Sequence, residues 1–314
     1  MILPPRLELG QTIGIIAPAG PVASREKLQR GLARLGDRFP FRLADSLVNE
    51  RDPDLPSYLA ASDDQRAEEF DRMLGDPDVR AIILARGGYG IMRILSRLDP
   101  DRLRKDPKPI VGFSDTTALL SWAHAAGVRG IHGPMILQLA DLPEIDVTAL
   151  VALLTDPRAP GARPWTLTSH GNGTDTTIRG PLVPANVTLA SMLVGTPWQL
   201  PLEGAIAVLE EVGEKPYELD RYLTQLQLTG SFAKLAAMIV GDLTRCVDPN
   251  PPIGVDPPDA ALRVFLERAA SGGKSAAVGA PIGHGDRNEA VPFGARAALD
   301  LDRGVVSIEE GAVS

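Results

Sequence analysis

The chain has 314 residues, 44% of them hydrophobic and 23% charged, so it is long enough for two ordinary domains and too apolar for extended disorder. Its formal net charge of -8 argues against a nucleic-acid partner, because affinity for a phosphate backbone comes from clustered Lys and Arg. No segment approaches the roughly 18 apolar residues of a membrane span, and the N-terminal sequence lacks the regions of a signal peptide. We therefore expect a cytoplasmic protein with no membrane partner.

The N-terminal part of the chain alternates short apolar runs with amphipathic segments. Residues 12–17 predict a buried strand, after which Ser24 is placed to cap a helix that ends at Gly36. Ser62 and Gln65 have the spacing of a capping box, so a second helix is predicted to start there. This alternation is typical of parallel strands joined by crossover helices.

Two further strands are predicted at residues 79–84 and 109–113, and the second runs through a sharp turn into a helix that ends at Gly127. We therefore predict an α/β fold whose N-terminal domain, residues 1–155, is a doubly wound, Rossmann-like parallel sheet. Residues 156–177 are rich in Pro, Gly, Ser and Thr without apolar periodicity, which predicts a linker.

The remainder of the chain, residues 178–314, predicts a smaller mixed α/β domain. Its elements are strands at 205–209, 236–240 and 276–278 and a helix that carries Leu219, Tyr222, Leu223 and Leu226 on one face. Strands and helices are both present, so this domain belongs to the same fold class as the first.

Ser114 lies in the sequence Ile-Val-Gly-Phe-Ser-Asp-Thr, where an apolar strand runs into Gly-x-Ser and directly out into a helix. This order predicts a nucleophile elbow, which exposes the serine hydroxyl. The start of the helix directs backbone N–H groups toward developing negative charge, so the N–H of Asp115 is a natural oxyanion donor. The alternative is that Ser114 or Asp115 only caps the helix, and the second glycine of G-x-S-x-G is missing.

The stretch Arg-Gly-Gly-Tyr-Gly at residues 86–90 follows another predicted strand, where a doubly wound sheet places its ligand crevice. Paired glycines let a backbone approach a substrate closely. The stretch lacks the spacing of a dinucleotide fingerprint, and a plain turn is the alternative. Arg86 is placed either to pair with a substrate carboxylate or to form an ordinary salt bridge.

A serine nucleophile needs a base, and the sequence contains 4 histidines. His124 lies inside the helix after the serine and His170 lies in the predicted linker, so we assign both to structural positions. His132 ends a predicted strand, whereas His284 lies in a loop between two strand candidates. Catalytic bases are often on such loops, although a structural role is open for either residue.

The base in turn needs a carboxylate that orients its ring. Glu210, Glu211, Glu214 and Glu218 are the candidates. Glu210 ends the apolar strand AIAVL, and a charge at this position points either into a site or to solvent.

The single cysteine, Cys246, has no thiol partner for a disulfide or a metal cluster. It stands where a strand enters a proline-rich loop. We therefore favour a structural role for Cys246 over a catalytic one.

Together these residues resemble the LD-carboxypeptidase family of serine peptidases, which includes muramoyltetrapeptide carboxypeptidase and the microcin-C immunity peptidases. The resemblance spans nearly the whole chain and rests on IIAPAGP, ARGGYG, GFSDTTALL, IHGP, GTPW, VLEEVGEKPYELDRYLTQL and GHGDRN, all in the family's order. It implies that Ser114 is the nucleophile, Glu210 the orienting acid and His284 the base. The N–H groups of Gly88 and Asp115 would form the oxyanion hole.

The resemblance also implies an activity, the release of terminal D-alanine from murein tetrapeptide by hydrolysis of an L,D-amide bond in cell-wall recycling. It implies no metal, no organic cofactor and a homodimer. One alternative is an immunity-type peptidase that cleaves a microcin-C-like peptide-nucleotide antibiotic or a related acyl amide. A non-catalytic small-ligand binding protein is the alternative from another class. The intact set of Ser, Glu and His argues against it.

Overall fold

The computed structural model describes residues 1–170 and 176–314. The α-helices of these residues are α1 Arg25–Leu35, α2 Asp45–Val48, α3 Asp63–Gly75, α4 Pro100–Lys105, α5 Thr116–Ala125, α6 Ile136–Leu139, α7 Glu144–Thr155, α8 Val187–Met192, α9 Pro216–Leu228 and α10 Ala260–Ser271. The strands are β1 Thr12–Ile16, β2 Phe41–Leu43, β3 Val79–Leu84, β4 Ile110–Gly112, β5 Ile131–His132, β6 Gly161–Ala162, β7 Thr168–His170, β8 Thr177–Asn186, β9 Ile206–Val212, β10 Ala237–Thr244, β11 Ser275–Val278, β12 Val291–Pro292, β13 Ala295–Asp300 and β14 Val305–Ile308. Every helix in this part of the chain is too short or too polar to serve as a transmembrane span.

The chain divides into two compact units. The first comprises Met1–Arg158, Glu289–Phe293 and Gly311–Ser314. The second comprises Ala159–Asn288 and Gly294–Glu310. Each unit therefore contains segments that are distant in the sequence.

These units differ from the predicted division into consecutive domains. Strand β12 pairs antiparallel with β5, with Val291 opposite His132, so the segment around β12 belongs to the sheet of the first unit. Residues 156–177, predicted as a linker, contribute β6 and β7 to the second unit, and residues 171–175 of that segment lie outside the described residues. Pairing between distant segments leaves no local sequence pattern. The prediction therefore did not include the return of residues 289–293 to the sheet of the first unit.

The sheet of the first unit has the strand order β12-β5-β4-β3-β1-β2. All neighbours from β5 to β2 are parallel, which confirms the predicted doubly wound α/β fold. Ile13, Ile15, Ile83 and Val111 of its central strands are fully buried. Burial of each such side chain contributes about 1.5–3 kcal/mol relative to exposure, so β4 enters the turn at Ser114 from a rigid core.

The helix starts in this unit follow the predicted caps. Ser24 Oγ accepts the N–H of the residue three positions on, and the helix ends at Gly36, which has φ 68°. Ser62 Oγ accepts the N–H of Gln65 at 3.1 Å, as predicted for the second helix. The Gln65 side chain, however, donates to Glu69 at 3.0 Å instead of returning to the start of the helix, so half of the predicted capping box forms.

The sheet of the second unit has the order β6-β14-β13-β8-β9-β10-β11-β7. Strands β8 to β11 are parallel, and the remaining pairs are antiparallel. The three predicted strands are confirmed as β9, β10 and β11, and the predicted helix is α9. The prediction omitted β8, which contains Gly180, Pro181 and Pro184, residues that weaken a strand signal.

Candidate active site

Ser114 occupies the turn between β4 and α5. Its φ is 61°, in the left-handed region that residues other than glycine rarely adopt. Among the described residues, Arg245 is the one other non-glycine residue with a positive φ. Such backbone strain costs about 1–3 kcal/mol and clusters at functional sites, and here it produces the strand-turn-helix geometry of a nucleophile elbow.

Gly87 lets a second backbone segment contact this serine. A Cβ atom at Gly87 would lie 3.0 Å from both Cβ and Oγ of Ser114, closer than an ordinary side chain tolerates. The next residue, Gly88, has φ 119°, a conformation open to glycine and strained for other residues. Glycine is therefore favoured at position 87 by close packing at the serine and at position 88 by its backbone conformation. We call residues 87–90 the glycine loop.

Arg86 holds the start of the glycine loop. Its Nε donates to the Gly87 carbonyl at 3.1 Å, and its Nη1 donates to the Pro21 carbonyl at 3.0 Å. The N–H of Gly20 donates to the same Gly87 carbonyl at 3.1 Å. These bonds use part of the donor capacity of the guanidinium, so the role of Arg86 as partner of a substrate carboxylate stays a prediction.

Asp115 does not cap α5 with its side chain, contrary to the structural alternative from sequence. The residue is 3% exposed, and its Oδ2 accepts the N–H of Ile91 at 2.9 Å, immediately after the glycine loop. Burial raises the pKa of Asp115 to about 6, although the backbone N–H groups of Ile91 and Gly90 and the charge of Arg66 favour the ionised form. The Asp115 side chain is thus hydrogen-bonded to the end of the loop beside the serine.

Arg66 of α3 is a residue that the sequence analysis did not single out. It is 1% exposed, and it donates to the carbonyls of Gly90 at 3.0 Å and Ala61 at 3.2 Å. It also contacts the Pro18 carbonyl and the Asp63 carboxylate. A buried arginine on a helix that also carries exposed charged residues has no distinctive sequence pattern, so these partners become visible only in the fold.

Glu210 and His284 come together in the second unit. His284 Nδ1 lies 2.6 Å from Glu210 Oε2, and the glutamate, near the end of β9, is fully buried. An ionised carboxylate at this distance accepts the Nδ1 proton. It therefore selects the imidazole tautomer in which Nε2 is the basic nitrogen, as a general base requires.

The two groups alter each other's pKa. Burial raises the pKa of Glu210, and the charge of His284 opposes this effect. Burial lowers the pKa of His284, but the carboxylates of Glu210, Glu211 and Asp242 outweigh it and leave the pKa above its ordinary value. His284 is consequently a stronger base than a histidine in water.

The glycines on either side of His284 allow its loop to approach two carboxylates. A Cβ atom at Gly283 would lie 2.8 Å from Asp242 Cβ and 3.1 Å from Glu210 Oε2. One at Gly285 would lie 2.8 Å from Asp242 Oδ2. Close packing therefore accounts for the sequence Gly-His-Gly, and Asp242 is a second acidic neighbour of His284 that the sequence analysis missed.

Glu211 points away from the histidine and supports α8 instead. Its carboxylate accepts bonds from Asn186 Nδ2 at 2.6 Å and from both the N–H and the hydroxyl of Thr188 at 2.8 Å. Consecutive side chains of a strand face opposite sides, which is why these adjacent glutamates have different partners. Glu211 thus supports α8, whereas Glu210 contacts His284.

The other histidines have other surroundings. His132 is fully buried in β5, with its ring edge-on to Phe113 at 5.9 Å between centroids. His124 packs against Phe293 at 5.8 Å, and burial lowers its pKa. His170 is exposed in β7 rather than in a linker. His284, by contrast, lies against the buried carboxylate of Glu210.

Cys246 is buried, with 3% of its surface exposed. Burial, with a smaller effect of the charge on Glu211, raises the pKa of its thiol to about 12. The thiolate is the nucleophilic form of cysteine, so this environment opposes catalysis by Cys246.

Comparisons with known proteins match both units. The LD-carboxypeptidase N-terminal domain matches residues 13–133, and the LD-carboxypeptidase C-terminal domain matches residues 179–299. A probable murein peptide carboxypeptidase of Bacillus subtilis is 31% identical, over 98% of this chain and 94% of that protein. The murein tetrapeptide carboxypeptidase of Pseudomonas aeruginosa is 34% identical, over 78% and 80%. Microcin C7 self-immunity protein MccF, solved in complex with aspartyl sulfamoyl adenosine, has a TM-score of 0.87 at 23% identity over the full length of both chains.

Proposed function

The chain belongs to the LD-carboxypeptidase family, as a serine-type enzyme, and we propose that it releases the terminal D-alanine of murein tetrapeptides in cell-wall recycling. The observation that carries the proposed chemistry is the 2.6 Å contact between His284 Nδ1 and the buried Glu210 carboxylate. The strained turn at Ser114 supports the same reaction. Homodimerisation stays a prediction from the family resemblance, and a cytoplasmic location stays a prediction from the sequence pattern.

In the proposed reaction His284 Nε2 takes the proton of Ser114, whose oxygen attacks the carbonyl carbon of the L,D-amide bond. The N–H groups of Gly88 and Asp115 bind the oxyanion that forms. His284 then protonates the amine of the departing D-alanine, and the C–N bond breaks. Water, deprotonated by His284, releases the shortened peptide from the serine ester.

The test of the substrate is incubation of the purified protein with murein tripeptide, tetrapeptide and pentapeptide, followed by mass spectrometry. We expect the tetrapeptide alone to lose one D-alanine, because the reactive bond must join an L-configured centre to a terminal D-residue. Aspartyl sulfamoyl adenosine serves as a fourth substrate for the immunity-type alternative, which rests on fold likeness. Faster cleavage of that compound than of tetrapeptide would contradict the murein assignment.

The pH dependence of kcat/KM reports the protonation of His284. The base acts in its neutral form, so kcat/KM is expected to fall as the pH drops through the His284 pKa. Burial lowers this pKa, but the neighbouring carboxylates raise it by more than burial lowers it. The acidic limb of the pH profile should therefore have its midpoint above 6.5. NMR titration of the His284 ring should give the same midpoint, and a lower one in Glu210→Gln. A wild-type midpoint at or below 6.5 would contradict this reading.

A further inference from the structure

The carboxylate of Asp115 is in an unexpected place for an enzyme of the proposed kind. Its own backbone N–H is assigned to the oxyanion hole, where negative charge develops during the reaction. A carboxylate near such a site disfavours that charge, and burial of a carboxylate is itself unfavourable. The side chain must therefore make a favourable contribution that outweighs both effects. Its contacts show the source of that contribution.

Those contacts join the nucleophile turn to the glycine loop. Asp115 Oδ2 accepts the N–H of Ile91 at 2.9 Å, and the N–H of Gly90 also stabilises the charged carboxylate. At the other end of the loop, the Gly87 carbonyl accepts bonds from the N–H of Gly20 at 3.1 Å and from Arg86 Nε at 3.1 Å. The loop is thus held on both sides of its assigned oxyanion donor, the N–H of Gly88.

Arg66 reinforces the second of these anchors. It donates to the Gly90 carbonyl at 3.0 Å, so the peptide bond between Gly90 and Ile91 is held through its carbonyl by Arg66 and through its N–H by Asp115. The guanidinium also favours the ionised form of Asp115 by its charge. A buried arginine and a buried aspartate therefore clamp one peptide segment between them.

We propose that the Asp115 side chain is a positioning residue, which fixes the glycine loop so that the N–H of Gly88 and the N–H of Asp115 address the same oxyanion. This inference rests on the proposed function. Backbone donors act only when they are preorganised, and a displacement of about 1 Å costs about 10²-fold in rate. One residue would then supply the first donor and hold the second in place.

The test compares Asp115→Ala and Asp115→Asn with wild type. We expect kcat on murein tetrapeptide to fall about 10²-fold in Asp115→Ala, with little change in KM. The fall should be smaller in Asp115→Asn, whose amide oxygen can still accept from Ile91. A peptide boronic acid, which needs the oxyanion hole, should lose affinity in step with kcat, whereas the tripeptide product should not.

In Asp115→Asn, the direction of the change in kcat distinguishes two possible roles of the side chain. If the side chain acted only through its charge, removing that charge would raise kcat, because the developing oxyanion would lose an unfavourable neighbour. If the side chain fixes the loop, kcat falls instead, because a neutral amide oxygen binds the Ile91 N–H more weakly than a carboxylate does. The variant keeps the size of the residue, so it remains informative if Asp115→Ala does not fold.

Asp99→Ala is the matched control, since Asp99 caps α4 of the same unit by accepting the N–H of Asp101 at 2.9 Å. It should lower the thermal stability and leave kcat and boronate affinity unchanged. Wild-type values of both quantities in Asp115→Asn would overturn the positioning role while the proposed function stands. A wild-type protein that does not cleave murein tetrapeptide would overturn both.

Discussion

Ser114→Ala is expected to abolish nearly all turnover of murein tetrapeptide, with a loss of about 10⁶-fold in kcat. The magnitude is that of nucleophile removal in a serine protease triad. In the proposed mechanism Ser114 forms the acyl bond, so the residual rate would come from binding and the oxyanion hole alone. Alanine is as strained as serine at the φ of 61°, so the free energy of unfolding should change little.

Steady-state kinetics on the tetrapeptide and a thermal unfolding curve give the two quantities. Ser121→Ala is the control, because it makes the same chemical change on α5 at a buried hydroxyl two turns along the helix. It should keep wild-type kcat. Near-normal kcat in Ser114→Ala would show that the nucleophile is another residue.

Glu210→Gln is expected to lower kcat by up to about 10⁴-fold, the loss seen on equivalent replacement in a serine protease triad. Glutamine keeps the size and polarity of the side chain. Its amide can donate to His284 Nδ1, which favours the tautomer with the proton on Nε2, and it no longer stabilises the imidazolium that forms during attack. The loss should therefore appear in kcat far more than in KM.

Glu211→Gln is a control of the same chemistry one residue away. Glu211 accepts three bonds from Asn186 and Thr188, so this variant should lose about 1–3 kcal/mol of stability while kcat changes far less. Kinetics and thermal unfolding of both variants separate the two roles. The assignment is wrong if Glu211→Gln is the inactive variant and Glu210→Gln retains turnover.

Much of the first unit was accessible from sequence because its signals are local. The apolar runs of β1, β3 and β4, the caps at Ser24 and Ser62, and the Gly-x-Ser between strand and helix each lie within a few residues. Local patterns of this kind reflect the periodicity and backbone preferences of single elements. The doubly wound fold and the turn at Ser114 follow from them.

Motif order along the chain was equally informative about chemistry, but it could not separate neighbouring candidates. Sequence offered several glutamates near the end of one strand and four histidines. The fold resolves this by burial and side-chain direction, since Glu210 faces His284 and Glu211 faces α8. Which face of a strand is buried depends on the sheets and helices that cover it, and these come from distant parts of the chain.

Tertiary structure alone decided the remaining features. The pairing of β12 with β5, the engagement of Asp115 with the glycine loop and the burial of Arg66 all join segments separated by 24 residues or more. Such contacts are chosen by the global packing that offsets the cost of burying polar groups, so no single segment encodes them. Composition and motif order determined the fold class and the family of this protein, and packing determined which side chains and loops contact Asp115 and His284.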